Sequence, residues 1–456
     1  MRNESSRYRL LQPKASLLFP AIVLIAVLLR VSIGAAQESG SSEGLPIADA
    51  HFHLLDFLQN SAYLDPQSGE EMPPIAARNL PHFESHNRIK LFLQKMDEAN
   101  VSHAMVSGMP FVKKWSEDVP VRSTYYLDSA SRVIRARDTD YVVALSFIAF
   151  QASEPQRYKQ EFPRLAPFIC GFNETDLGAV DMIAKRITEF PGLWKGIGEV
   201  MSHHDDLTNL TTGERPRANH PAMFRIFDFA GEFALPVSIH HNIAPVSSDG
   251  LPRSAQYLGE ILEAFEEFPQ TTFIYAHAGI SRRVVVEDLT GILDCYVLTP
   301  HQSHVLIDLS WVVFEDYLLD RDHNGDVKHA PISGEPLIRR EWIDLIEKFP
   351  GNFLLGSDKV GDFTGDKYKK EIRKFDPLLR QLKPEVAKQV ASLNWLRIVP
   401  EDGLTLPEGY KYPEFRYTQR SGPRRVRLEA TRYPDTPVAP WLHPHKDTPQ
   451  VPAIVP

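Results

Sequence analysis

The 456-residue chain is 43% hydrophobic and carries a net charge of -9, long enough to bury one large core or two modest ones. Its mild acidity leaves no basic footprint for a nucleic-acid partner. Two cysteines, Cys170 and Cys295, allow one bridge and exclude a disulfide framework; Cys295 lies in the apolar run GILDCYVL and is expected to be a buried free thiol.

The chain opens on a basic leader (Arg2, Arg7, Arg9, Lys14) and an apolar stretch, LLFPAIVLIAVLL, at 17–29. That run is shorter than the ~20 residues that span a bilayer. Small residues Gly34 and Ala36 then place a cleavage site after Ala36. Residues 1–36 are therefore expected to be a secretory signal peptide and 37–44 a flexible linker, with the protein periplasmic or secreted. An uncleaved segment would instead anchor it to a membrane.

The first element of the folded region is IADAHFHLLDF, 47–57. Side chains alternate along a strand, so His51 and His53 share a face roughly 6–7 Å apart. Asp49 and Ile47 are expected on that face, with Ala48, Ala50 and Phe52 turned to the helices. Two imidazoles on one face can converge on a metal. They can equally be inert polar residues at a strand end; the rest of the chain decides.

A helix is expected over 86–100, where Ile89, Leu91, Phe92, Leu93 and Met96 recur at helical spacing. ANVSHAMVSGMP (99–110) and DYVVALSFIAF (140–150) read as strands from their β-branched and aromatic content. Further strands are expected in LWKGIGEV (193–200), LPVSIHHN (235–242), TTFIYAHAG (271–279), HVLIDLSW (304–311) and NFLLGSD (352–358). Helix-like segments separate them: PAMFRIFDFAGEF, SAQYLGEILEAFEEF, RRVVVEDLTGIL and EPLIRREWIDLIEKF. Eight strands, each followed by a helix, predict an α/β fold, a (β/α)₈ TIM barrel over 45–400 with loop insertions. A doubly wound open sheet is the alternative. Residues 401–456 form a proline-rich C-terminal extension, read as an extended segment that wraps the barrel or reaches a second copy in a homodimer. His443 and His445 repeat the H-x-H spacing there, but no strand framework orients them.

In such a barrel functional residues gather at the C-terminal ends of strands. Those ends carry Glu199, His240, His277 and Asp358, besides His51 and His53. Parity selects His240 over His241, because Val237 and Ile239 should face the helices. One such residue is ordinary; six at one level on five strands point to a metal site. Arg282, in the loop after His277, could fork a substrate carboxylate or sit in solvent. Trp311 could wall the pocket or pack in the core. HHDD, 203–206, follows strand 4 and is assigned no ligand role. DRDHNGD, 320–326, begins like a calcium loop, but Pro331 stands where the bidentate glutamate belongs, so a solvated acidic loop is expected.

DAHFH, GIGEV, PVSIHH, YAHAG and LLGSD occur in an order that resembles the amidohydrolase superfamily, in its amidohydrolase-related branch of hydrolases, lactonases and non-oxidative decarboxylases. NWLRI, 394–398, is similar to that branch's closing asparagine motif. The resemblance implies that His51, His53 and His240 bind metal. It implies that His277 is a ligand or polarises substrate or water. Asp358 would bind metal and accept a proton. Glu199 stands where some members carry a bridging carboxylated lysine and others a glutamate; Lys195 lies four residues deeper. The long tail after residue 400 departs from the smallest members.

Nitrogen and oxygen donors without thiolate suit zinc, with manganese or iron as alternatives and one or two ions. The expected function is a metal-dependent hydrolase that uses a metal-activated water on an amide, ester or lactone. The alternatives are a metal-dependent decarboxylase of an aromatic or unsaturated acid, and a catalytically silent metal-bound binding protein.

Overall fold

A computed structural model describes residues 44–55, 85–109, 113–114, 124–125, 136–204, 216–361, 363 and 365–413. Met1–Glu43 separate as a unit of their own from Gly44–Pro456. The expected signal peptide, nearly all of the linker, Asp205 and Asp206 of HHDD, and Trp441, His443 and His445 of the tail lie outside the described residues. Among the described residues no helix is long and apolar enough to cross a membrane.

Eight parallel strands run in chain order around the fold: β1 Ile47–Asp49, β2 Val101–Val106, β3 Leu165–Ile169, β4 Gly196–Ser202, β5 Val237–His241, β6 Phe273–Tyr275, β7 Val305–Asp308 and β8 Phe353–Leu354. The backbone N–H of Ala50 donates to the carbonyl of Leu355 at 2.8 Å, and Asp49 bridges Leu355 in parallel, so the sheet closes on itself. Phe52–His53 pairs with Lys359–Val360 and extends that seam. The architecture is the expected closed barrel, not an open sheet.

Helices follow the strands: α1 Ser85–Glu98, α2 Ala136–Ser153, α3 Ala179–Glu189, α4 Pro221–Glu232, α5 Leu258–Glu267, α6 Leu289–Ile292, α7 Arg340–Lys348 and α8 Lys367–Arg373. Each longer one buries a stripe at helical spacing; α7 buries Trp342, Ile343, Leu345 and Ile346. The stripes pack on outward residues of the strands such as Val237 and Ile239, while Ala50, Met105, Phe168, Ile274, Leu306 and Leu354 fill the barrel interior. Trp395, in the NWLRI segment, stacks on Phe168 at 6.2 Å and joins that interior cluster. Asn394 fixes the segment by donating to the carbonyls of Pro350 and Phe353. The barrel floor is thus plugged, and the site lies at the other end.

Four expectations are corrected. DYVVALSFIAF is not the third strand but the body of α2. Its buried residues Val142, Val143, Ser146, Phe147 and Phe150 follow a helical period, and an 18-residue element exceeds the usual strand length. The third strand is LAPFI, 165–169, disguised by Pro167, which cannot donate to a ladder. RRVVVEDLTGIL is helical only from Leu289, which leaves Arg282 in a loop. In the first strand Ala48 and Ala50 face the barrel interior while Ile47 packs with the helices, the reverse of the expectation. Strand geometry breaks between Asp49 and Phe52, and this resets the alternation so that Ala50 and His51 both point inward. Both cysteines are free, and Cys295 is half-buried, not buried.

The tail's described portion lies on the barrel. Leu404 hydrogen-bonds with Trp194 and Gly192, and Tyr412 donates to Asp228 of α4. In the 320–326 loop, Asp322 accepts from the backbone N–H groups of Asn324 and Asp326 in a β-bridged hairpin.

Candidate metal centre

The C-terminal strand ends bring His51, His53, Glu199, His240, His277 and Asp358 together. Glu199, on β4, lies at the middle. Its Oε2 is 3.6 Å from His51 Nε2 and 3.5 Å from His53 Nε2. Its Oε1 is 3.3 Å from His240 Nδ1 and 3.4 Å from His277 Nε2. Asp358 Oδ1 faces the first pair of imidazoles, at 3.5 and 3.6 Å. Two half-sites therefore share one carboxylate: His51, His53 and Asp358 on one side, His240 and His277 on the other. Gly356 makes room, since a Cβ there would lie 2.7 Å from His51 Cβ and 2.8 Å from Asp308 Oδ1.

Each imidazole has its outer nitrogen engaged. His53 Nδ1–H donates to the Gly108 carbonyl at 2.7 Å, His51 Nδ1–H to Asp308 at 2.8 Å, and His240 Nε2–H to Asn242 Oδ1 at 3.0 Å. His277 Nδ1–H donates to Ser310 Oγ at 2.8 Å, whose own hydroxyl donates to Asp308. In a neutral imidazole with one nitrogen donating, the other carries a lone pair. Four lone pairs then face inward, and the His51 and His53 Nε2 atoms stand only 3.2 Å apart. Glu199 Oε1 and His240 Nδ1 are buried without a hydrogen bond. A buried cluster of acceptors at this spacing is costly unless a cation sits among them. The donor set fits one or two divalent metal ions, held through nitrogen and oxygen alone and steered by hydrogen-bonded outer partners.

Without metal a proton does part of that work. Burial opposes a charged His51, but Glu199 and Asp358 outweigh it and hold its pKa well above the ordinary value. Burial likewise opposes an ionised Glu199, and His51, His240 and His277 overcome it, keeping its pKa well below the carboxylate range.

The centre opens into a cavity of about 430 Å³, lined also by Met109, Met201, His204, Arg282, Trp311 and Lys359. The Arg282 guanidinium lies 5.5 Å from the Trp311 ring centre. Lys359 is half-buried, and its ammonium makes no hydrogen bond or ion pair among the described residues. His277, Trp311 and Asp358 reach the cavity from left-handed backbone, at φ 54°, 56° and 45°. Lys195 lies elsewhere, its ammonium donating to the Phe162 carbonyl and its pKa lowered to about 8 by burial. His241 faces away from the centre, bound to Ser202 and the Tyr257 carbonyl.

Sequence reading missed Asp308, Ser310, Lys359 and Glu174. Asp308 had a signal: it is the one carboxylate inside the apolar strand HVLID, two residues before Ser310. It touches His51 of one half-site directly and His277 of the other through Ser310. Asp308→Asn is expected to weaken metal binding ~10–100-fold, the range for an outer partner of a ligating histidine. Competition with a chromophoric chelator measures this; unchanged affinity would deny Asp308 that role. His204, of the HHDD segment that follows strand 4, does line the cavity, and its ring packs against that of His240 at 4.4 Å.

Glu174 follows β3 and accepts from the Met201 N–H, with its second oxygen buried and unpaired. Burial pushes its carboxyl from 4.5 up to about 8. Folding therefore favours the protonated form, a contribution present below pH 4.5 and lost as pH rises through about 8. Glu174→Gln should raise the melting temperature at pH 8 and leave it nearly unchanged at pH 4.5. A gain equal at both pH values would sink this assignment.

No family model and no curated protein matches the chain. Several solved structures are similar to it. A dihydroxybenzoic acid decarboxylase from a Polaromonas species, with bound manganese and 2-nitroresorcinol, shares 13% identity at a TM-score of 0.42, over 78% of this chain and 96% of that one. A 4-oxalomesaconate hydratase from Rhodopseudomonas palustris shares 15% identity at 0.40, over 78% and 96%. A dihydroorotase from Campylobacter jejuni shares 12% identity at 0.40, over 79% and 85%.

Proposed function

We propose that the protein is a metal-dependent hydrolase that cleaves an amide, ester or lactone in a small molecule bearing an anionic group. The observation that carries this reading is the convergence of four imidazole lone pairs on Glu199 and Asp358 at the open end of the barrel. His51, His53, Asp358 and Glu199 Oε2 would hold one divalent ion, and His240, His277 and Glu199 Oε1 a second. Zinc suits these donors best, with manganese and iron as alternatives. Such an ion supplies positive charge that acidifies water and polarises a carbonyl.

The chain's own groups do the rest. Glu199 is buried at 2% exposure and would be shared by both ions, whereas Asp358 at 12% meets the cavity. Asp358 is thus the carboxylate placed to take a proton from water and deliver it to the leaving group. Arg282 and Lys359 are placed to hold the substrate's anionic group. Trp311 covers His277, with ring centres 5.1 Å apart, and limits water beside it.

Metal analysis of purified protein, combined with a screen of lactones, amides and aryl carboxylates, tests the reading. A new acid formed by metal-loaded protein supports it. Carbon dioxide released from an aryl carboxylate would replace hydrolysis by decarboxylation. Full metal without turnover across the screen would favour a binding protein. We also propose export directed by residues 1–36; a secreted chain starting elsewhere than Gln37 would refute that cleavage site.

A further inference from the structure

A second cavity, of about 540 Å³, lies among the segments that follow β6 and β7. Arg282 lines both cavities. The floor of the second is apolar: Val284, Val286, Leu289 and Trp342 are each at most 4% exposed. Its wall is held in shape. The Tyr317 hydroxyl donates to the Val284 carbonyl and accepts from the Val286 N–H, and the Arg253 N–H donates to the Val285 carbonyl at 2.8 Å. A preformed apolar hollow with a few polar groups at its rim is how small-molecule sites are built.

Four carboxylates face two arginines around that rim. Asp288 is occupied, accepting from the Gly291 N–H, and Glu341 lies 4.0 Å from Arg339. Asp316 lies exposed at the rim, close enough to Arg321 to feel its charge, and makes no hydrogen bond or ion pair among the described residues. The rim therefore keeps a carboxylate without a hydrogen-bond partner among the described residues above an apolar floor. On the other side of Arg282, the ammonium of Lys359 is uncommitted in the same way.

We propose that the two cavities form one substrate site, and that the second takes an apolar, ring- or chain-sized arm ending in an ammonium group. The substrate class is an elongated molecule with an acid near its reactive bond and a base at its far end. The inference rests on reading the first cavity as the catalytic one. It also explains why an arginine, with its broad planar head, stands at the junction: it can flank a substrate there without closing the path.

Calorimetric titration of the zinc-loaded full chain tests this with two probes, 4-(4-aminobutyl)benzoate and 4-butylbenzoate. The amine-bearing probe is expected to bind at least ~10-fold tighter, the scale of one added hydrogen bond to a charged group. Asp316→Asn should erase that difference, leaving 4-butylbenzoate binding intact. Thr290→Trp and Val285→Trp, which fill the cavity, should each erase it as well, and melting curves identify whichever variant folds. Equal affinity for the two probes, or a preference that survives Asp316→Asn, overturns the proposal. Zinc content of the same samples separates this failure from failure of the metal reading: the first leaves full zinc without the preference, the second leaves the preference without zinc.

Discussion

Glu199→Gln is expected to abolish stable metal binding in both half-sites at once. The buried carboxylate is, among the described residues, the one group that faces all four imidazoles, at 3.3 to 3.6 Å. Glutamine keeps the shape but loses the charge, and its amide hydrogens can satisfy imidazole lone pairs in a metal's place. The loss in affinity should exceed the ~10–100-fold attached to an outer partner such as Asp308. Metal content after gel filtration, with circular dichroism on the same sample, separates lost ligation from lost fold. A folded variant that retains two equivalents of metal would show that Glu199 bridges nothing.

Asp358→Asn separates holding from chemistry. Asparagine keeps one oxygen donor but cannot accept a proton at neutral pH. His51, His53 and Glu199 still hold that half-site, so most metal should remain at saturating supply. Turnover should fall at least ~10²-fold in kcat, the lower end of what a general base contributes. If Asp358 only shaped the strand end, the variant would lose stability and keep its turnover per folded molecule. Near-native kcat with bound metal would pass the proton-accepting role to His277.

The barrel was legible because alternating strand and helix patterns survive in most units, and the centre because its residues sit on strand ends. Parity sufficed for β5, where Ser238 and His240 face inward and His241 does not. It failed at β1, where a break in the strand turns two successive residues inward. It failed for α2 because a helix that is apolar nearly all round has the composition of a strand; Leu145 and Ile148 are exposed on its outer side. The third strand was lost to Pro167, because a proline within a short apolar run argues against a central strand. Roles set by neighbours far along the chain, such as that of Asp308 beside His51, leave no periodic trace in sequence.

The left-handed backbone at His277, Trp311 and Asp358 bears on chains descended from the same ancestor. A residue other than glycine in that conformation costs on the order of 1 kcal/mol or more. Glycine at any of these positions would relieve the backbone but delete the side chain together with the contacts it makes. Kinship judged by overall similarity would not register the exchange. A descendant with glycine at His277 or Asp358 has lost a donor of the centre, and those two positions sort working copies from retired ones.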